Sequence, residues 1–179
     1  PEKRRAFEWR RANPLGSLRF LRGHREVFAL AGAAFLSNLT HAVLPAVFVL
    51  YAAYRYGWDE KAVGLALAGV GISAALVQGA LVGPLVRRFG ERRVMIGGLL
   101  AGTAGFMLYA FAPTGLWFVA AIPIVGLWGL AGPTSQGIMT RAVGASAQGE
   151  LQGAMGSLAG IATVIGPTLF ATVFAWSIR

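Results

Sequence analysis

The chain has no cysteine and only seven acidic residues in 179. Without cysteine there is no disulfide framework, no thiol nucleophile and no cysteine-ligated metal. The acids are Glu2, Glu8, Glu26, Asp59, Glu60, Glu91 and Glu150, and none falls inside a long apolar stretch. There are two histidines, His24 and His41, and neither has a carboxylate at helical spacing within such a stretch. No phosphate-binding loop or nucleophile elbow is present, and Gly69-Val70-Gly71 sits inside an apolar run rather than at a strand-to-helix turn. These absences argue against an enzyme and leave no metal or cofactor site. The first residues, PEKRRAFEWRRANP, are basic with no apolar segment behind them, so they are not a signal peptide. They read as the interior of a longer polypeptide.

Apolar residues are what the chain has in abundance. It is 56% hydrophobic and 13% charged, with a mean hydropathy of +0.62; a soluble domain carries about 25% charged residues. About 20 mainly apolar residues in a helix cross the hydrocarbon core of a bilayer. Five stretches meet that requirement, at roughly 27–51, 62–86, 94–111, 116–139 and 151–178, with no Asp, Glu, Lys or Arg inside any of them. Their length excludes barrel strands, which would read as ~10-residue alternating segments. The expected fold class is therefore an all-α integral membrane protein, with residues 1–26 as a basic arm and 27–178 as a bundle of five spans.

The cationic residues orient the bundle. If the spans alternate, residues 1–26, 87–93 and 140–150 share one side and hold thirteen of the sixteen Lys and Arg, against Arg55, Lys61 and Arg179 opposite. The positive-inside bias makes the arginine-rich side cytoplasmic. The net charge of +9 then needs anionic lipid as its partner rather than nucleic acid. In the arm, Leu15, Leu18 and Leu21 recur every third residue, with Arg19, Arg22 and Arg25 on another face. Both an amphipathic helix on the headgroups and a plain basic linker fit that pattern.

Helices in lipid associate through small residues. Gly79 and Gly83, Gly98 and Gly102, and the series Gly149, Gly153, Gly156, Gly160 have the spacing of packed interfaces. Pro45, Pro84, Pro123, Pro133 and Pro167 lie in or beside the spans, where each removes a backbone hydrogen bond and is expected to kink its helix. The sequence GPT occurs at 132–134 and at 166–168, so that Gly166 and Pro167 form a second such break. Ser and Thr at membrane depth can bond their own helix carbonyls. Asn38, His41, Gln78 and Gln136 need another partner, a cavity or a ligand. Asn38 and His41 lie three apart, on one helix face, and all four are candidates for lining a solute path.

The stretch GPLVRRFGERR, residues 83–93, gathers Gly83, Arg87, Arg88, Gly90, Glu91, Arg92 and Arg93 between two apolar spans. It resembles the glycine-and-arginine loop of the major facilitator superfamily, which follows the second helix of each six-helix half on the cytoplasmic side. The acid usual in the first-half copy would fall at Arg87, so the chain resembles a C-terminal half. NPLGSLRFLRG (13–23), WDEKAVGLALAGVGI (58–72), GPTSQGIMTR (132–141), QGELQGAMGSL (148–158) and IGPTLF (165–170) are similar to the second half of the tetracycline/proton antiporters and their drug-efflux relatives.

That resemblance implies helices seven to eleven of twelve, an interdomain linker at 1–26, and a missing N-terminal half as partner. It also implies a conformational latch at 87–93, in which Glu91 and Arg92–Arg93 exchange partners. The expected activity is proton-coupled efflux of a small amphipathic compound by alternating access, in a bacterial inner membrane. Uptake of a small metabolite and a non-transporting scaffold remain open. The family's His in the second span is Ala74 here, and its Asp in the third is Ala101, which places tetracycline itself in doubt. With no carboxylate at membrane depth, the proton site is expected in the other half.

Overall fold

The computed structural model describes residues 25–178. It holds five helices long and apolar enough to cross a membrane: α1 Arg25–Tyr56, α2 Glu60–Phe89, α3 Glu91–Phe111, α4 Gly115–Ala142 and α5 Ala145–Ser177. No strand occurs among the described residues. The expected amphipathic arm, residues 1–24, lies outside the described residues. Each helix begins one to six residues before its apolar run, on residues that form its first turn. At α2 the boundary carries a side-chain cap, Asp59 Oδ1 accepting a 2.8 Å hydrogen bond from the Ala62 amide.

The connections are short. Gly57, at φ 65°, ends α1 in the left-handed region that favours glycine. The arginine stretch, expected as a loop, contracts to the single residue Gly90. The Gly90 amide donates to Val86 O at 2.9 Å to close α2, and its carbonyl accepts from the Val94 amide at 3.2 Å to open α3. Its φ of 79° with ψ of 154° is a conformation that only glycine adopts without strain.

Packing is tightest between α3 and α4. A Cβ added at Gly98 would stand 3.0 Å from Ala131 N, one at Gly102 2.8 Å from Trp128 Cγ, and one at Gly105 2.5 Å from Val125 Cγ2. The expected Gly98–Gly102 pair is thus a packed interface, and Gly105 extends it by a turn. The other glycine series behave differently. Gly79, Gly83, Gly149, Gly153, Gly156 and Gly160 meet nothing within 4 Å among the described residues. The interface expected at Gly153 and Gly160 is therefore not formed within this stretch. Equal spacing does not decide which face of a helix meets a neighbour. On α5 it is Gly166 that makes the close approach, where a Cβ would lie 2.5 Å from Ala42 Cβ of α1.

Three buried clusters hold the bundle together. Phe48, Val63, Tyr109 and Phe118 anchor the one at the α1–α2 and α3–α4 turns. Val27, Met139, Val143 and Leu151 join α1, α4 and α5 at the opposite end, and Val77, Val94 and Leu130 join α2, α3 and α4. Elsewhere large apolar side chains point outward: Phe111 is 78% exposed, Leu116 79% and Val164 75%. Such surface is stable against lipid or further helices, not water.

Candidate functional site

Prolines interrupt three of the helices. The Pro45 ring removes the amide that would bond the His41 carbonyl, and α1 breaks at Ala42 between Arg25–His41 and Val43–Tyr56. Pro84 follows a π-helical turn, Val77–Leu81, in α2; the wider turn relieves the clash with the carbonyl four residues back. Pro133 follows a 3₁₀ turn, Leu127–Leu130, in α4. Pro123 and Pro167, also expected to kink, sit inside continuous helical segments, Gly115–Gly126 and Gln148–Ser177.

The interrupted segments of α2 and α4 face each other. Ser73 Oγ occupies the place that a Cβ at Gly126 would take, and a Cβ at Gly129 would stand 3.8 Å from Gln78 Cγ. Together with the break in α1 they surround a hollow of about 360 Å³. Asn38 and His41 from α1, Gln78 from the π turn, and Trp128 with Pro133 from α4 line it. Three of the four residues singled out in the sequence thus share one hollow. Gln136 lines a second one, of about 310 Å³, together with Asn38 and Ser135. Asn38 belongs to both.

The polar groups divide as their chemistry dictates. Thr40, Thr103, Thr134, Ser157 and Thr163 donate to carbonyls of their own helices, at 2.6–3.1 Å. Asn38 uses one amide hydrogen in the same way, donating from Nδ2 to Ala34 O at 2.9 Å. This leaves Oδ1 and the second hydrogen for the hollow. His41 packs against the Trp128 indole, ring centroids 5.4 Å apart at 56°. Phe106 also meets that indole, edge-on at 5.4 Å, and Gly102 supplies the notch in which the indole sits. Sequence reasoning missed Trp128; its signal was a lone aromatic residue among Gly126, Gly129 and Gly132.

The arginine stretch forms a second cluster, at the α2–α3 turn. Arg87, Arg88, Arg92 and Arg93 are exposed, and the Arg88 guanidinium lies 5.3 Å from the centre of the Phe89 ring. Glu91 is drawn inward. Its carboxylate pairs with Arg141, in the last turn of α4, and rests on Gly137, where a Cβ would stand 2.9 Å from Oε1. In the sequence Arg141 stands out through the charge bias and as the last residue of GPTSQGIMTR, not as a partner of Glu91. The turn is thereby tied to α4 by one ion pair across a glycine.

A family model described as Major Facilitator Superfamily matches residues 30–179. The chain belongs to that family. Members of the superfamily carry solutes and do not transform them. The chain is 33% identical over 175 residues to "Tetracycline resistance protein, class C" of Escherichia coli, covering 98% of this chain and 44% of that protein. It is 34% identical over 172 residues to "Tetracycline resistance protein, class G" of Vibrio anguillarum, with 93% and 44% covered. "Hippocampus abundant transcript-like protein 1" of Homo sapiens matches at 25% over 180 residues, with 97% and 36% covered. The chain thus spans less than half the length of these curated relatives.

Proposed function

We infer that this superfamily chain is the second half of a secondary transporter, one that moves a small amphipathic compound out of a bacterial cell in exchange for protons. The convergence of Asn38, His41 and Gln78 on one hollow, where α1, α2 and α4 are all interrupted, carries the reading. Polar side chains at membrane depth are costly unless a cavity or ligand receives them. Helices broken around the same hollow give it a way to change shape.

A first half of similar size completes the path, and alternating access comes from the rocking of one half against the other around the site. The coupling carboxylates lie in that first half, since no acid of this one falls at membrane depth. The positive-inside bias puts the Gly90 turn and residues 1–26 in the cytoplasm of an inner-membrane protein. The Glu91–Arg141 pair fastens that side in one of the two states.

Inside-out vesicles carrying the complete transporter test the reading. With an imposed proton gradient they should accumulate a tetracycline or another amphipathic drug, and Gln78→Leu should reduce accumulation at least tenfold at equal protein level. Absence of gradient-driven accumulation across a panel of such compounds, or full activity in Gln78→Leu, would sink it.

A further inference from the structure

We propose that Trp128 is the specificity-determining residue of the hollow, and that it stacks on a flat, uncharged ring of the solute. The proposal rests on the hollow being the solute path, and it names the class of compound that this half receives. Trp128 stands in the 3₁₀ turn Leu127–Leu130 of α4 and lines the hollow together with Asn38, His41 and Gln78. Its root is held in the Gly102 notch, where an added Cβ would come within 3.0 Å of the Cβ, Cγ and Cδ1 of Trp128. The half-buried indole is therefore a fixed platform.

No ring of the described residues lies flat on that platform. His41 leans on it at 56° and Phe106 meets it at 78°, each with centroids 5.4 Å apart. Tyr109 shows the contrast, since Phe118 covers it almost parallel, at 8° and 3.9 Å. Stacked aromatic pairs gain beyond the area they bury, and at Trp128 the described residues leave that contact unmade. There is space for a partner beside it. A Cβ added at Gly132, one turn further along α4, meets nothing within 4 Å. Ala74 of α2 contributes only a methyl group to the facing wall.

The walls divide by chemistry. α1 and α2 bring the hydrogen-bonding side chains, Ser37, Asn38, His41 and Gln78, whereas α4 brings none besides the indole N–H. Asp, Glu, Lys and Arg are absent from all three walls. An ionised group on a solute would thus stand at membrane depth without a counter-charge from this half, which is costly. A compound that fits has a flat conjugated ring for the indole. Along one edge it carries neutral donors and acceptors, such as an amide, for Asn38 and Gln78.

Trp128 thereby acts on selection. A saturated, globular compound with the same polar group can reach Asn38 and Gln78, but it gains only buried area against the indole and no stacking. An aliphatic side chain at position 128 would put the two compounds on equal terms, while another aromatic ring would keep the difference. Gln78 works the other way, holding the polar edge whatever the shape behind it.

The test is equilibrium binding of radiolabelled probes to the complete transporter in lipid nanodiscs. 2-Naphthamide is the flat probe, adamantane-1-carboxamide its globular counterpart with the same amide and carbon count, and 2-naphthoate its charged counterpart. The flat amide should bind about fivefold tighter than the globular one and at least about tenfold tighter than the charged one. Trp128→Leu should bring the two amides within about twofold of each other, and Trp128→Phe should keep a preference of about threefold or more. Gln78→Leu should weaken both amides without changing their ratio. Gly132→Leu, which fills open space, should weaken the flat amide about tenfold with Trp128 in place. Equal binding of the two amides by the parent, an unchanged ratio in Trp128→Leu, naphthoate bound as tightly as the amide, or no binding of any probe overturns the proposal. Gradient-driven accumulation of amphipathic drugs without the flat-ring preference leaves transport standing and removes this role of Trp128. The preference in a protein that moves no solute removes the transport reading and leaves the binding site.

Discussion

Gly102→Ala sets two effects of opposite sign against each other. Alanine in place of glycine in a helix favours folding by about 0.5–1 kcal/mol. At this position, however, the new methyl would stand 2.8 Å from Trp128 Cγ and 3.0 Å from Cβ and Cδ1, where ordinary contact begins at 3.4 Å. Those atoms form the root of the side chain and cannot swing aside without moving the α4 backbone. Either α3 and α4 separate by about half an ångström or the indole leaves its rotamer, and such overpacking costs about 1–3 kcal/mol. The net expectation is a loss of about 1–2 kcal/mol. Gly97→Ala is the internal control, because a Cβ there meets nothing within 4 Å, so it should be neutral or mildly stabilising. Reversible unfolding in mixed micelles, followed by helix content, measures both. The packing argument fails if Gly102→Ala is as stable as the parent, or if the two substitutions destabilise equally.

Gly90→Ala should cost about 1–3 kcal/mol, because no side chain is comfortable at φ 79° and ψ 154°; the same unfolding measurement checks it, and a loss below a few tenths would contradict the assigned turn. Removing the Glu91–Arg141 pair by Glu91→Gln or Arg141→Gln should be milder, since the Arg141 side chain is 64% exposed. A double-mutant cycle should return a coupling of about 0.2–1 kcal/mol that shrinks in high salt, whereas zero coupling at low salt would remove the pair as a fastener of the turn.

The five helices were legible because apolar runs of bilayer length have few alternative structures. Their ends were less so, since Asp59 and Glu60 read as loop by charge yet act as cap and first turn. The prolines marked where helices can break without saying which do. Pro45, Pro84 and Pro133 adjoin interruptions, whereas Pro123 and Pro167 lie in continuous segments. Nothing in the local sequence separates these groups. The same holds for glycine, because Gly98 and Gly102 face α4 while Gly153 and Gly160, equally well spaced for packing, face outward. Asn38, His41 and Gln78 stood out as expensive polar groups at membrane depth. Trp128 did not, since an aromatic residue in an apolar run is unremarkable until its neighbours are known.

The claim that the Asn38–His41–Gln78 hollow is a water-filled solute path has a direct measurement. Because this chain contains no cysteine, Asn38→Cys and Gln78→Cys introduce single reporters into it. Leu65→Cys and Leu100→Cys, at sites 67% and 65% exposed on outer helix faces, report on the lipid side. In the complete transporter, a small water-soluble maleimide should label Asn38→Cys and Gln78→Cys at least tenfold faster than the two outer sites, and a transported compound should slow that labelling. Reaction at positions 38 and 78 no faster than at 65 and 100, with or without the compound, would contradict the account.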